Sequence, residues 1–236
     1  MLNKLIAIFI LVSVLSASPL SAQDNKRSLV LNGHGEVTKA PDMAIVDLGV
    51  ESQGLTAKAA LEANTRDMAA LMATLKSANI EDKDIQTSNF SVQPRYDDKP
   101  NVNPPKIVGY AVNNTVSVAV RKLDNLGALL DKAVAGGSNQ ISNIGFTVAA
   151  PQEAQDAARR SAVKDALRKA TVLTDAAGVK LGALQSMSEQ GGGQIMPMAK
   201  MSRMAAAPMA AQVMPVPVAE GQVSITVDVN MVWEMQ

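Results

Sequence analysis

The stretch VSITVDVNMVWEM, residues 223–235, carries an apolar side chain at every odd position: Val223, Ile225, Val227, Val229, Met231, Trp233 and Met235. A period of two sustained over such a run is a long β-strand with one face on a core. Residues 108–120 repeat the pattern on even positions, with Val108, Tyr110, Val112, Asn114, Val116, Val118 and Val120 against mostly small or polar odd ones. Clean alternation belongs to antiparallel strands with one solvated face. Each large side chain buried on such a face is worth about 1.5–3 kcal/mol. These two strands are read as the backbone of the domain.

Working outward, less regular strand patterns cover residues 29–37, 43–51, 85–93, 141–148 and 183–189. Three helices fall between them. The first spans about 56–78, with Leu61, Thr65, Met68, Met72 and Leu75 on one stripe and Asn79 placed to end it. The second spans about 124–135, with Asp124 as its cap and Gly136-Gly137 as its stop. The third opens at Pro151, has Glu153 in its first turn and meets Gly178 just past its end. Its predicted buried stripe is Val163, Ala166, Ala170, Leu173 and Ala177, and the pairs Asp156–Arg160 and Asp165–Lys169 mark a solvated face. The fold class that follows is α+β: an antiparallel sheet of long strands with three packed helices. Helix, tight turn, four-residue spacer and strand occur twice, at residues 78–88 and 177–186. This is an echo compatible with duplicated βαβ-type units or with chance.

Two stretches interrupt the pattern. Residues 96–106 contain Pro100, Pro104 and Pro105 with two aspartates and read as an exposed loop. Residues 191–218 open with three glycines and continue with Pro197, Pro208, Pro215, Pro217, many alanines and a cluster of methionines, which reads as a flexible insert. At the start of the chain, Lys4, the apolar run 5–15 and the small residues up to Ala22 form a signal-peptide pattern too short to span a bilayer. The expectation is export to the periplasm, cleavage near Ala22, and no transmembrane helix in a mature chain of residues 23–236.

Of the 236 residues, 22 are Lys or Arg and 22 are Asp or Glu. Lys4 leaves with the signal, so the mature chain carries one more acid than base. A near-neutral surface argues against nucleic acid and against electrostatic docking on anionic lipid. With no cysteine, thiol redox chemistry and cysteine-ligated zinc are excluded, and the core alone must hold an exported fold.

The run Gly33-His34-Gly35-Glu36-Val37, followed by Pro41-Asp42-Met43-Ala44, resembles the opening of the SIMPL-domain family of YggE-like exported bacterial proteins. The likeness continues through the strand at 46–50, the helix opening Thr56-Ala57, the turn at 80–85, Gly109-Tyr110 with its Val-rich strand, and the helices at 126–136 and 162–178. It covers nearly the whole mature chain. The resemblance implies a periplasmic protein linked to oxidative or envelope stress, immunogenic in some pathogens, with some relatives forming ring- or channel-like oligomers. It carries over no catalytic residue. The methionine-rich insert departs from many relatives.

Possible chemistry is sparse. Gly33-x-Gly35 would suit a phosphate loop only if a helix followed directly; a strand-like segment follows, so the glycines are read as permitting a bulge or close strand approach. His34 is the only histidine. It lies between two glycines on a strand with no nucleophile elbow, which favours a surface or structural role. The acids Asp97-Asp98 and Glu81-Asp82-Asp84 read as solvated loop charge. Met198, Met201 and Met204, spaced by three with Met196, Met209 and Met214 nearby, admit four readings: a disordered insert, an apolar contact with a partner or membrane, an oxidant sink, or a soft thioether site for Cu(I). No catalytic or cofactor-binding residue is assigned. The expected function is non-enzymatic stress defence in the periplasm as a homo-oligomer, with peripheral envelope contact. The alternative is Cu(I) binding or oxidant scavenging through the methionines.

Overall fold

The computed structural model describes residues 27–97, 104–198, 216 and 218–236. The described elements run β1 (Ser28–Lys39), β2 (Met43–Gly54), α1 (Ala57–Ser77), β3 (Ile85–Tyr96), β4 (Ile107–Val120), α2 (Leu126–Ala135), β5 (Gln140–Thr147), α3 (Gln152–Ala177), β6 (Leu181–Met198) and β7 (Gln222–Met235). All strand pairings are antiparallel, which gives the α+β class expected from the sequence.

The strands divide between two sheets rather than forming one: β1-β7-β6 and β3-β4-β2-β5. The two strands with the cleanest alternation, β4 and β7, are each flanked on both sides, as strands carrying the most buried apolar surface should be. Val223, Ile225, Val227, Val229, Met231 and Trp233 are all buried, as are Val112, Val116, Val118 and Val120. Val108 departs from that pattern and is exposed: the β3–β4 ladder pairs Arg95 with Gly109 and Tyr96 with Ile107, and the register shift falls on Val108.

Helix ends follow their local chemistry. Thr56 Oγ1 accepts from the Ala59 N–H at 3.1 Å to open α1. Asn79 at φ 60° and Gly178 at φ 68° turn the chain out of α1 and α3 through the left-handed region. Asp124 does not cap α2; it sits in the 3-10 turn Leu123–Asn125, and Asn125 occupies the cap position without a side-chain bond.

Both buried stripes predicted for the longer helices need correction. On α1 the covered residues are Ala60, Asn64, Met68, Leu71 and Leu75, while Leu61 is exposed. On α3 they are Ala154, Ala158, Ala162, Ala166, Ala170 and Thr174, while Leu173 is exposed. The reason lies in the partner strand. A Cβ at Gly33 would stand 2.1 Å from the Ala162 carbonyl oxygen, and one at Gly35 1.9 Å from that of Ala158. α3 therefore rests its backbone directly on β1, and only an alanine face allows that approach.

α1 covers β2 and β4 and continues by a tight turn into edge strand β3; α3 covers β1 and β7 and continues by a tight turn into edge strand β6. The echo in the sequence thus falls on two units of like arrangement, β2-α1-β3-β4 and β1-α3-β6-β7. The second takes its first strand from the far end of the chain. α2 adds Leu126, Leu129, Leu130 and Ala133 to the core of the first unit.

The stretch read as a flexible insert is also partly corrected: β6 runs on to Met198, with Ile195, Met196, Pro197 and Met198 opposite Ile225, Ser224, Val223 and Gln222. A register shift between Gln190 and Gln194 absorbs the three glycines. The remainder of that stretch, apart from 216 and 218, lies outside the described residues, as do the signal pattern and most of the 96–106 loop.

Candidate functional site

The sheet edges and the faces beside them hold the features that set this molecule apart from a closed domain. β1 is an edge strand, and two of its outward backbone groups, at Asn32 and His34, are occupied by side chains of α3. The His34 N–H donates to Asp165 Oδ2 at 3.1 Å, and Lys169 Nζ donates to the Asn32 carbonyl at 3.0 Å. Asp165 is in turn held by Lys169 at 2.6 Å and Arg168 at 2.7 Å. The Lys169 hydrogen bond, the His34 amide and Arg168 together keep its carboxyl well below the usual carboxylate range. The pair expected to mark a solvated face instead bonds the middle of a strand edge, where it hinders further pairing.

β3 and β6 are different. Each lies at the side of its sheet away from the strands its helix covers, so apolar side chains on the helix-facing side stay in solvent. Phe90 and Val92 on β3 are 53% and 42% exposed, and Leu184 and Met187 on β6 are 46% and 56% exposed. Val92 stands opposite buried Val112, and Leu184 and Met187 stand opposite buried Trp233 and Met231. The exposed groups therefore continue the core faces outward. Tyr96, Ile107 and Val108 extend the β3 patch along the same hairpin. From α3, Arg159 reaches Glu189 of β6 at 3.0 Å and Asp156 at 2.8 Å, and not through the expected Asp156–Arg160 pair. Arg159 lowers the Glu189 pKa, and its own is raised, first by Glu189 and then by Asp156. Apart from Val108, read from the sequence as part of a core-facing strand, these exposed apolar residues were not singled out by sequence reasoning. Their only signal is apolar alternation on strands that no second helix is available to cover.

The other residues weighed from the sequence are dispersed. His34 points away from α3, half exposed, with Nδ1 2.8 Å from Asp228 Oδ1. Gly33 and Gly35 serve the close helix approach and hold no loop. Glu81, Asp82 and Asp84 do not converge: they pair with Lys83, Lys76 and Arg121 respectively. Asp84 is not solvated, as expected for loop charge, but largely covered and gripped by Arg121 through two bonds, at 3.0 and 2.7 Å. Those bonds hold its pKa below the usual value. Asp97 follows β3, its N–H donating to the Lys106 carbonyl, and Asp98 lies outside the described residues. Among the described residues no three His, Asp or Glu side chains come together as metal ligands would. Met198 ends β6 exposed, its sulfur 4.0 Å from Thr38 Oγ1, whereas Met201 and Met204 lie outside the described residues.

Residues 29–233, from β1 through β7, match the family described as SIMPL, a protein of unknown function (DUF541). The chain belongs to the SIMPL family. Among its relatives is the 26 kDa periplasmic immunogenic protein of Brucella melitensis biotype 1, 38% identical over 230 residues, spanning 92% of this chain and 90% of the relative. The uncharacterized protein YggE of Escherichia coli (strain K12) is 31% identical over 207 residues, spanning 86% and 83%. No described helix is long and apolar enough to cross a membrane.

Proposed function

We propose that this SIMPL protein is a non-enzymatic periplasmic protein of oxidative or envelope stress defence that works as an assembly of identical copies. The observation that carries the assembly is the contrast between edges. The middle of the β1 edge is bonded to Asp165 and Lys169, while β3 and β6 present core-continuous apolar faces to solvent. β5 is short and interrupted by a register shift opposite Ile45–Asp47, where Asn143 takes a φ of 55°. Burying the β3 and β6 faces against second copies removes large apolar side chains from water, at about 25 cal/mol per Å². Support for the compartment comes from the residue 1–22 pattern and from the name of the Brucella relatives. The stress-defence role rests on the family resemblance. Native mass measurement of the mature protein tests the assembly. A discrete oligomer that the double variant Leu184→Lys/Met187→Lys or the variant Phe90→Lys dissociates is the expected result; a monomer at all concentrations overturns it.

A second reading, Cu(I) binding or oxidant scavenging, gains one specific observation. Met196 and Met198 alternate on β6, so both thioethers lie on the solvent side of the sheet, and both are exposed. Two neighbouring soft sulfurs are a minimal start for a Cu(I) site. Uptake of one copper per chain in the same mass measurement, lost in Met196→Leu/Met198→Leu, is the result this reading requires.

A further inference from the structure

A separate feature lies on the first unit, away from the uncovered strand faces. The end of α1, the end of β4 and one side of α2 enclose an open cleft of about 840 Å³, within the range of small-molecule sites. Its floor is apolar, built by Ile80, Val120 and Leu129. Its rim is basic in effect. Glu81 and Asp84 are already neutralised by Lys83 and Arg121, whereas Lys122 and Lys132 make no ion pair or hydrogen bond through their ammonium groups among the described residues. The Asn125 side chain, at the cap position of α2, makes no cap bond and also lines the cleft. The acids of the adjoining hollow, Asp42, Asp124 and Glu220, stand within salt-bridge distance of neither lysine.

We infer that this cleft binds a small amphipathic organic anion, a carboxylate or phosphate monoester on a short apolar body. The head group lies between Lys122 and Lys132, where charge-assisted hydrogen bonds replace water on both ammoniums. The Asn125 amide donates to the same oxygens. The apolar body covers Ile80, Val120 and Leu129, which a purely ionic ligand would leave wet. An inorganic anion therefore binds weakly, and so does a neutral chain of the same length.

Calorimetric titration of the mature protein with decanoate and with decyl phosphate, each below its micelle concentration, tests this. Saturation at one site per chain by either probe is the expected result, and the tighter head group identifies which anion the site is built for. Lys122→Glu/Lys132→Glu removes the head-group contacts at exposed positions, and Ala128→Trp fills the cleft without changing charge. Each should weaken binding by about tenfold or more, while Lys58→Glu, an exposed charge reversal outside the cleft, leaves it unchanged. Circular dichroism confirms that each variant is folded. The inference is overturned if neither anion saturates, if decanol binds as tightly as decanoate, or if both cleft variants bind like the parent protein.

Discussion

At the scale of single residues, space and charge decide more than hydropathy does. Gly35 faces the backbone of α3 at a distance no Cβ tolerates, so Gly35→Ala must lift the helix off β1. The expected cost is about 3 kcal/mol, or about 2–4 °C of Tm for each kcal/mol in a chain of this size. Gly145, with nothing within 4 Å of its would-be Cβ, is the control: Gly145→Ala should melt within a degree or two of the parent. Asp165 offers a test by pH. Its folded pKa is depressed, so its contribution is complete above the ordinary aspartate value of about 3.9 and disappears as pH falls from there toward the lower folded value. Asp165→Asn should therefore melt below the parent at pH 7, and the gap should close in acid. A gap that stays constant from pH 7 to pH 3 would show that the carboxylate charge has no part in holding α3 to β1. The strand-like segment after Gly33-x-Gly35 made a close approach legible, but not that a helix makes it. The role of Asp165 left no signal, because Asp165–Lys169 has the spacing of any exposed helical pair.

At the scale of elements, the sequence was readable where burial is one-sided and side chains are large. β4 and β7 showed themselves because each has one covered face with a bulky residue at every other position. Val227→Asp, at a fully buried position, should unfold the protein, since a charge there has no partner to offset its desolvation. Asp228→Val, one residue along, loses only the exposed contact with His34 and should cost about 1 kcal/mol or less; equal destabilisation in thermal melts would overturn the face assignment. The stripe of α3 was misread because bulk was taken as the sign of burial. Leu173 outweighs the alanines in any hydropathy pattern yet is exposed, whereas Ala166 and Ala170 are buried as expected and Val163 packs half-buried beside them; the glycines of the strand beneath demand the small face. β6 was cut short for a related reason. Gly191, Gly192, Gly193 and Pro197 read as loop, whereas an edge strand has free backbone on one side and accepts both a bulge and a proline. This sets the limits for shortening the connection to β7. Deleting residues 196–214 removes the pairing of Met196, Pro197 and Met198 with β7 and should lower the Tm by several degrees. Deleting residues 200–214 keeps that pairing and should leave the Tm nearly unchanged: it leaves 8 of the 23 residues between Met198 and Gln222, less than two halvings, and each halving alters closure entropy by only about 0.6 kcal/mol.

At the scale of the whole molecule, two units of like arrangement stand side by side, but only one is continuous in sequence. The strand that completes the second unit, β1, precedes the first unit entirely and pairs with β7 along its full length, from Ser28 opposite Glu234 to Lys39 opposite Val223. The two ends of the described chain consequently meet: the Met235 N–H donates to the Arg27 carbonyl at 2.9 Å, and Gln236 exchanges two backbone bonds with Lys180. A circular permutant follows from this. Joining Gln236 to Arg27 by a short linker and opening the chain between Ala40 and Pro41 would place β1 directly after β7, turning the most distant strand pair into a hairpin. The folded structure would be the same, while the mean separation of its contacts along the chain would fall, and the permutant should refold faster than the parent at similar stability. The natural order has the opposite consequence for a chain delivered from its N-terminus: β1 must wait for the last strand to emerge, so the Gly33–Gly35 seat for α3 is the final part of the molecule to close.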